Sequence, residues 1–139
     1  MKGILVGIDG THQCWKAFDH ALDLATWTNV PLHVAAVIHG PDIELAETDE
    51  RRALIERYGE RLKQELSKAS SRARERSVEV QTHLLEGHPV ERILELATQQ
   101  RAGHIVVGHR SKGLFERLLL GSVAKRVVDF AHCTVTVVR

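Results

Sequence analysis

The sequence predicts a single-domain α/β fold, with a five-stranded parallel sheet and four helices distributed over its two faces. A chain of 139 residues has room for one hydrophobic core. Aromatic residues account for only 4% of the chain, so that core must consist mainly of Val, Leu, Ile and Ala, which favours a parallel sheet covered by helices. Short apolar runs alternate with amphipathic helical patterns along the whole chain, as right-handed β-α-β crossovers require.

The first half of the chain contains two predicted strands, each followed by a helix. Strand 1 is the apolar run at residues 3–8, and strand 2 is Leu32–Ile38. The acidic stretch at residues 42–49 is expected to form an irregular surface loop, and a long amphipathic helix covers roughly residues 47–76. The helix between the two strands has one apolar stripe, formed by Ala17, Phe18, Ala21, Leu22 and Ala25.

The second half continues the alternation. Strand 3 is predicted at residues 77–85, strand 4 at residues 104–107 and strand 5 at residues 133–138. A short helix beginning near Pro89 separates the first two of these strands, and a last helix at residues 122–131 separates the other two. No break in composition marks a linker, so residues 1–139 are expected to form one domain.

Strand 5 is expected at an edge of the sheet because it ends the chain. Val135 and Val137 alternate with threonines, and no charge follows until Arg139. An uncovered edge of this kind pairs readily with another chain, and pairing about a two-fold axis would give a homodimer. The alternative is an edge that the long second helix covers.

Composition argues against several classes of function. The formal net charge of +1 gives no reason to expect binding to nucleic acid or to a membrane surface, and no apolar run has the length of a membrane span. The nine histidines show no ligand-type spacing, so no metal site is expected. Cys14 and Cys133 are far apart in sequence, which favours free thiols and a reducing cytoplasm.

The segment after strand 4 has the features of a phosphate-binding loop. Ligands of parallel sheets bind beyond the carboxyl ends of the strands, where the strand order reverses. Here Gly108 leaves strand 4, a polar loop follows, and Gly121 precedes a helix that Ser122 could cap. Five basic residues and one acid lie between Gly108 and Arg126. The alternative is that these glycines are ordinary punctuation between a strand and a helix.

The chain resembles a universal stress protein over its whole length, and most closely in its last third. ATP-binding members of that family carry Gly, two residues, Gly, nine residues and then Gly-Ser or Gly-Thr. Gly108 and Gly121-Ser122 fit this spacing, but Ser111 occupies the place of the second glycine. The opening strand up to Asp9-Gly10, the turn at Gly87-His88-Pro89 and the final strand also resemble the family.

The resemblance implies a Rossmann-like sandwich of the adenine nucleotide alpha hydrolase type, with a nucleotide at the carboxyl ends of strands 1, 2 and 4. Asp9, which follows Ile8, matches the acid that contacts the nucleoside. The alternative, a cap of the first helix together with Thr11, is compatible with that role. Val37 matches the position whose backbone recognises adenine. The residues implied around the phosphates and ribose are Val107, Gly108, Arg110, Ser111, Gly121, Ser122 and Val123.

These observations favour a dimeric, cytoplasmic regulatory protein that binds ATP, with AMP or ADP as alternatives and Mg²⁺ as an optional companion of the phosphates. No residue has the pattern of a general base directed at the γ-phosphate, so hydrolysis is expected to be slow and the protein is not expected to be an enzyme. Ser111 keeps a second hypothesis open, in which a nucleotide-free relative acts as a protein-interaction module. A third, an enzyme using the same cleft, rests on the fold alone.

Overall fold

Strands and helices alternate along the chain in the computed structural model, which describes residues 2–109 and 120–139. In chain order the elements are β1 (Ile4–Gly7), α1 (His12–Thr28), β2 (Leu32–Ile38), α2 (Pro41–Leu45), α3 (Thr48–Glu75), β3 (Val80–Glu86), α4 (Pro89–Gln99), β4 (His104–Gly108), α5 (Ser122–Phe130) and β5 (Thr134–Val138). No helix among these residues is both long enough and apolar enough to span a membrane.

The five strands form one parallel sheet in the order β3-β2-β1-β4-β5. The chain moves from β1 outward to β3, then crosses back to β4 on the other side of β1. The order therefore reverses at β1, and the helices cover both faces because right-handed crossovers in opposite directions leave on opposite sides. The predicted parallel α/β fold is confirmed, and β5 lies at a sheet edge as expected.

The core consists of two aliphatic layers, one on each face of the sheet. Successive side chains of a strand point to opposite faces, so Val34 joins the layer under α1 and α3 while Ala35 joins the layer under α4 and α5. Phe18 is the largest fully buried side chain. The long helix α3 packs on β2 and β3, which places it at the opposite end of the sheet from the β5 edge.

The expectation of an irregular loop at residues 42–49 was wrong in part, because α2 occupies Pro41–Leu45. Pro41 begins this helix with a backbone angle that already suits a first turn. Asp42 and Glu44 favour the same turn electrostatically, and Ile43 is buried. The described residues therefore contain five helices instead of the four that were expected.

Strand 3 begins at Val80 and not at residue 77. Ser77 adopts a left-handed conformation with φ of 56°. Its N–H donates to the carbonyl of Arg74 (2.9 Å), and the N–H of Val78 donates to the carbonyl of Ala73 (2.9 Å). These residues close the carboxyl end of α3, so they are not free to join the sheet.

Candidate functional site

The candidate site lies where the carboxyl ends of β2, β1 and β4 meet at one edge of the sheet. β1 ends first, at Gly7, and the Asp9-Gly10 turn rises from it. β2 on one side and β4 on the other both extend beyond the end of β1. This leaves a recess above β1, at the point of the sheet where ligands of such folds bind.

Asp9 holds the turn between β1 and α1. Its Oδ1 atom accepts hydrogen bonds from the backbone N–H of Thr11 (3.0 Å) and from the Thr11 hydroxyl (2.7 Å). Thr11 in turn caps α1, because its hydroxyl accepts from the N–H of Cys14 (3.3 Å). Gly10 turns with φ of 86°, a conformation that favours glycine. Asp9 is exposed, so its carboxylate remains within reach of a ligand.

Val37 presents backbone groups toward the recess. Residues of a parallel strand direct both N–H and C=O to one side, alternating along the strand. Ala35 faces β1, since its carbonyl accepts from the N–H of Ile8 (2.8 Å), whereas Ile38 faces β3, since its carbonyl accepts from Gly87 (3.2 Å). Val37 therefore faces the β1 side, and within residues 2–109 no ladder bond to β1 continues beyond Ile8.

A chain of backbone hydrogen bonds connects the ends of β4, β5 and α5. The N–H of His109 donates to the carbonyl of Val138 (2.7 Å), and the N–H of Gly121 donates to the carbonyl of His109 (2.8 Å). The same Val138 carbonyl accepts from Nε2 of Gln13 on α1 (2.9 Å). These bonds fix the start of α5 beside β4.

Gly108 packs closely against the first turn of α1. A Cβ atom at this position would lie 3.2 Å from Cγ of Gln13 and 3.4 Å from its carbonyl oxygen. The glycine therefore permits close contact between α1 and the end of β4, as the glycines of dinucleotide-binding turns do. Val107, immediately before it, is buried in the sheet.

The amino end of α5 has open backbone donors. Gly121 is the residue that precedes the helix, and Ser122 is its first residue, so the expectation that Ser122 caps α5 was wrong. Among residues 2–109 and 120–139, no side chain caps this end, and the first turn of the helix carries no acidic residue. The first N–H groups of a helix attract anions, so this end of α5 suits an anionic group. Val123 is half-buried beside it.

Two predicted site residues, Arg110 and Ser111, lie outside the described residues. The structure brings the other predicted residues to the same edge of the sheet: Ile8, Asp9, Val37, Val107, Gly108, Gly121, Ser122 and Val123. Gln13 was not predicted, because its role depends on the carbonyl of Val138, which is distant in sequence.

The two cysteines have no reactive environment. Burial raises the pKa of the Cys14 thiol to about 11, so it is a packing residue beneath the Asp9 turn. Burial also raises the pKa of Cys133. In the part of the chain that the structure describes, no three histidine, cysteine or acidic side chains are grouped so that they could hold a metal ion.

A separate groove of about 730 Å³ lies near the amino ends of β4 and β5, at the other end of the strands from the candidate site. Ile105 and Cys133, near the amino ends of β4 and β5, line it together with Phe130. It is wide but mainly apolar and lies far from the reversal of strand order. We therefore place the candidate site at the carboxyl edge.

Comparison with known proteins identifies the family. The model of the universal stress protein family matches residues 1–139. Universal stress protein MJ0531 of Methanocaldococcus jannaschii is 34% identical over 139 residues, covering 99% of this chain and 82% of that protein. A universal stress protein in complex with cAMP superposes with a TM-score of 0.76 at 25% identity, covering 99% of this chain and 97% of that chain. The universal stress protein of Archaeoglobus fulgidus in complex with dAMP superposes with a TM-score of 0.72 at 25% identity, covering 100% of this chain and 98% of that one. The chain belongs to the universal stress protein family.

Proposed function

We propose that this protein binds ATP, or the adenine nucleotides AMP or ADP, in the recess above β1 and acts as a regulatory protein in the stress response. The observation that carries the proposal is the meeting of three complementary features at one sheet edge. These are the exposed carboxylate of Asp9, the backbone of Val37 facing the recess, and the amino end of α5, which no described side chain caps.

Each feature suits a different part of an adenine nucleotide. The backbone of Val37 offers a donor and an acceptor, which is what the edge of a purine needs. Asp9 offers an acceptor to hydroxyl groups of the ribose. The N–H groups at Ser122 and Val123 suit phosphate oxygens, and Mg²⁺ could accompany those phosphates. Two structural relatives of this chain are complexes with cAMP and dAMP, which supports an adenine nucleotide as the ligand.

Slow or absent hydrolysis fits the same geometry. Asp9 is the acidic residue that the sequence predicts at this site, and its Oδ1 atom already accepts two hydrogen bonds from Thr11. A carboxylate used in this way holds a loop and is poorly suited to activate water. Binding would then act through conformation or through the affinity for a partner.

We also propose that the protein is a cytoplasmic homodimer that pairs through the β5 edge. β5 lies at the end of the sheet, and its first residue, Thr134, is exposed. A parallel-sheet edge of this composition has unpaired backbone groups that a second copy can satisfy.

The test of nucleotide binding is thermal unfolding with and without ATP or AMP, each with and without Mg²⁺. At a ligand concentration about 100 times Kd, binding adds about 2.7 kcal/mol to the free energy of unfolding, which is a clear rise in Tm. GTP at the same concentration is the control for the adenine-recognising backbone. No shift at millimolar nucleotide, with no nucleotide released from the purified protein, would favour the interaction module that Ser111 keeps open.

A further inference from the structure

Helix α3 crosses behind both loops that bound the proposed nucleoside pocket. One loop is the Asp9-Gly10 turn after β1, and the other is the Gly40-Pro41 turn after β2. Two α3 residues lie beside these loops, Glu65 next to Gly10 and Tyr58 next to Gly40. They are seven positions apart, about two helical turns, so they lie on the same face of the helix.

Tyr58 supports the loop after β2. Its hydroxyl donates a short hydrogen bond to Oδ2 of Asp42, while Oδ1 of Asp42 accepts from the N–H of Ile43 (3.1 Å). A Cβ atom at Gly40 would lie 2.6 Å from Oδ1 of Asp42 and 4.0 Å from the Tyr58 ring. The Asp42 carboxylate therefore fills the space beside Gly40, and Tyr58 holds it there.

Glu65 supports the loop after β1. A Cβ atom at Gly10 would lie 3.5 Å from Cγ of Glu65, 3.6 Å from Cδ and 3.8 Å from Oε1. The Glu65 side chain is only 17% exposed, although its Oε1 reaches Nζ of Lys68 (3.4 Å). Its Oε2 atom is buried and has no hydrogen-bond partner among the described residues. A buried carboxylate oxygen without a hydrogen-bond partner lowers the stability of the fold. The position of Glu65 beside Gly10 therefore has an unfavourable electrostatic contribution.

We propose that Tyr58 and Glu65 are positioning residues that fix the two walls of the nucleoside pocket from behind, an inference that rests on the proposed function. α3 is one rigid helix anchored in the core by Leu62 and Leu66, which lie between and beside the two contacts. Its two side chains would then hold the Gly10 loop after β1 and the Gly40 loop after β2 in fixed positions relative to one helix. A pocket held at its binding width loses less conformational entropy when the ligand binds.

The pair Glu60–Lys63 provides a matched control. It has the same i,i+3 spacing and the same 3.4 Å separation as Glu65–Lys68, but the Glu60 side chain is 66% exposed. Replacing Glu60 by Ala removes a similar surface ion pair without touching either loop. Differences between Glu65→Ala and Glu60→Ala therefore report the contact with Gly10.

The test measures affinity by calorimetry for ATP, AMP and inorganic tripolyphosphate in Tyr58→Phe, Glu65→Ala, Glu65→Gln and Glu60→Ala. We expect Tyr58→Phe and Glu65→Ala each to lower the affinity for ATP and for AMP by the same factor, about five- to tenfold. Both nucleotides contain the nucleoside, and each variant loses the support of one wall of the nucleoside pocket. Tripolyphosphate binding should not change. Glu65→Gln keeps the size of the side chain and should restore affinity, and Glu60→Ala should match the wild type. Equal affinities in all four variants would overturn the proposal.

Hydrogen exchange on the nucleotide-free variants separates this inference from the proposed function. Glu65→Ala should speed amide exchange in the Gly10 loop, and Tyr58→Phe should speed it in the Gly40 loop, while Glu60→Ala changes neither. If the wild type binds no adenine nucleotide, the proposed function fails. The exchange rates then still show whether Tyr58 and Glu65 support the two loops. Unchanged exchange in both loops shows that α3 does not support them.

Discussion

Asp9 shows how a single residue can serve both the fold and the proposed binding of a nucleotide. Its position after a strand and before a helix is consistent with either a cap or a ligand contact. The structure shows that Asp9 holds Thr11, which itself caps α1. Because Asp9 also stays exposed at the centre of the carboxyl edge, the two tasks are compatible.

Asp9→Asn separates these two tasks. The amide keeps an oxygen that can accept both hydrogen bonds from Thr11, so we expect the free energy of unfolding to stay within about 0.5 kcal/mol of the wild type. The charge is lost, and we expect the Tm shift caused by ATP to shrink markedly. Thr11→Ala is the opposite control, since it should lower stability by about 1 kcal/mol through loss of the cap. An undiminished ATP shift in Asp9→Asn would show that the carboxylate has no role in binding.

Among the elements, β5 is the strand through which we propose that two copies pair. The N–H of His109 donates to the carbonyl of Val138, so Val138 faces β4, and alternation along the strand directs Val135 and Val137 toward the free edge. The long helix α3 packs on β2 and β3, which leaves the alternative of a β5 edge covered by that helix without support.

Val135→Pro tests pairing through this edge. Proline removes an N–H that faces outward and leaves the ladder to β4 in place, so we expect the proposed dimer to become a monomer with little change in fold. Val135→Thr retains the N–H and the branched side chain, and it should remain dimeric. Light scattering of both variants measures the result. A dimeric Val135→Pro protein would place the interface elsewhere.

At the scale of the whole molecule, two buried histidines and one partly buried histidine link stability to pH. Nδ1 of His33 lies 3.1 Å from Nε2 of His83 across β2 and β3, and Nε2 of His104 lies 2.6 Å from the Thr136 hydroxyl. Burial lowers the pKa of His33, His83 and His104 below the ordinary value of 6.5. The folded protein therefore takes up protons at these positions less readily than the unfolded chain does.

We expect the free energy of unfolding to fall as the pH decreases from about 7.5 to about 5.5. Near pH 6.5 the unfolded chain binds protons that the buried imidazoles reject, so acid favours unfolding. The contribution of the three histidines to the free energy of unfolding is complete above pH 6.5. It is lost as the pH falls toward their lower pKa values in the folded state. Urea unfolding at several pH values measures the slope, which His83→Gln should reduce. His88→Gln, at an exposed position, is the control, and a slope that is flat or reversed would contradict the prediction.

Much of the fold could be predicted because local signals and sheet geometry agree. Asn29 ends α1 in a left-handed conformation and Pro89 begins α4, as their residue types favour. The prediction of an irregular loop failed at α2, where five residues form a helix. Ile43 is buried there, and the Tyr58 hydroxyl donates a hydrogen bond to Asp42. Such long-range contacts leave no periodic pattern in a short acidic segment.

The candidate site could be predicted in outline because the carboxyl ends of parallel strands meet at one edge. The positions of three strands select Asp9, the loop after Val37 and the segment after Val107, whereas the role of the Val37 backbone is implied by the family resemblance. The supports behind them could not be predicted, since Gln13, Tyr58 and Glu65 act through partners that are distant in sequence or through space left by a glycine.

The sequence by itself determined the alternation of strands and helices and the parallel sheet, because apolar period and turn residues are local properties. It also predicted that the candidate site lies at the carboxyl ends of the strands. Only the tertiary structure decided toward which neighbouring strand the backbone groups of Val37 point. It also showed that Gly108 leaves little room for a side chain because α1 packs against it. It also decided which residues of α3 stand behind the two loops. Each of these depends on register and on distances between segments, which a linear pattern does not contain.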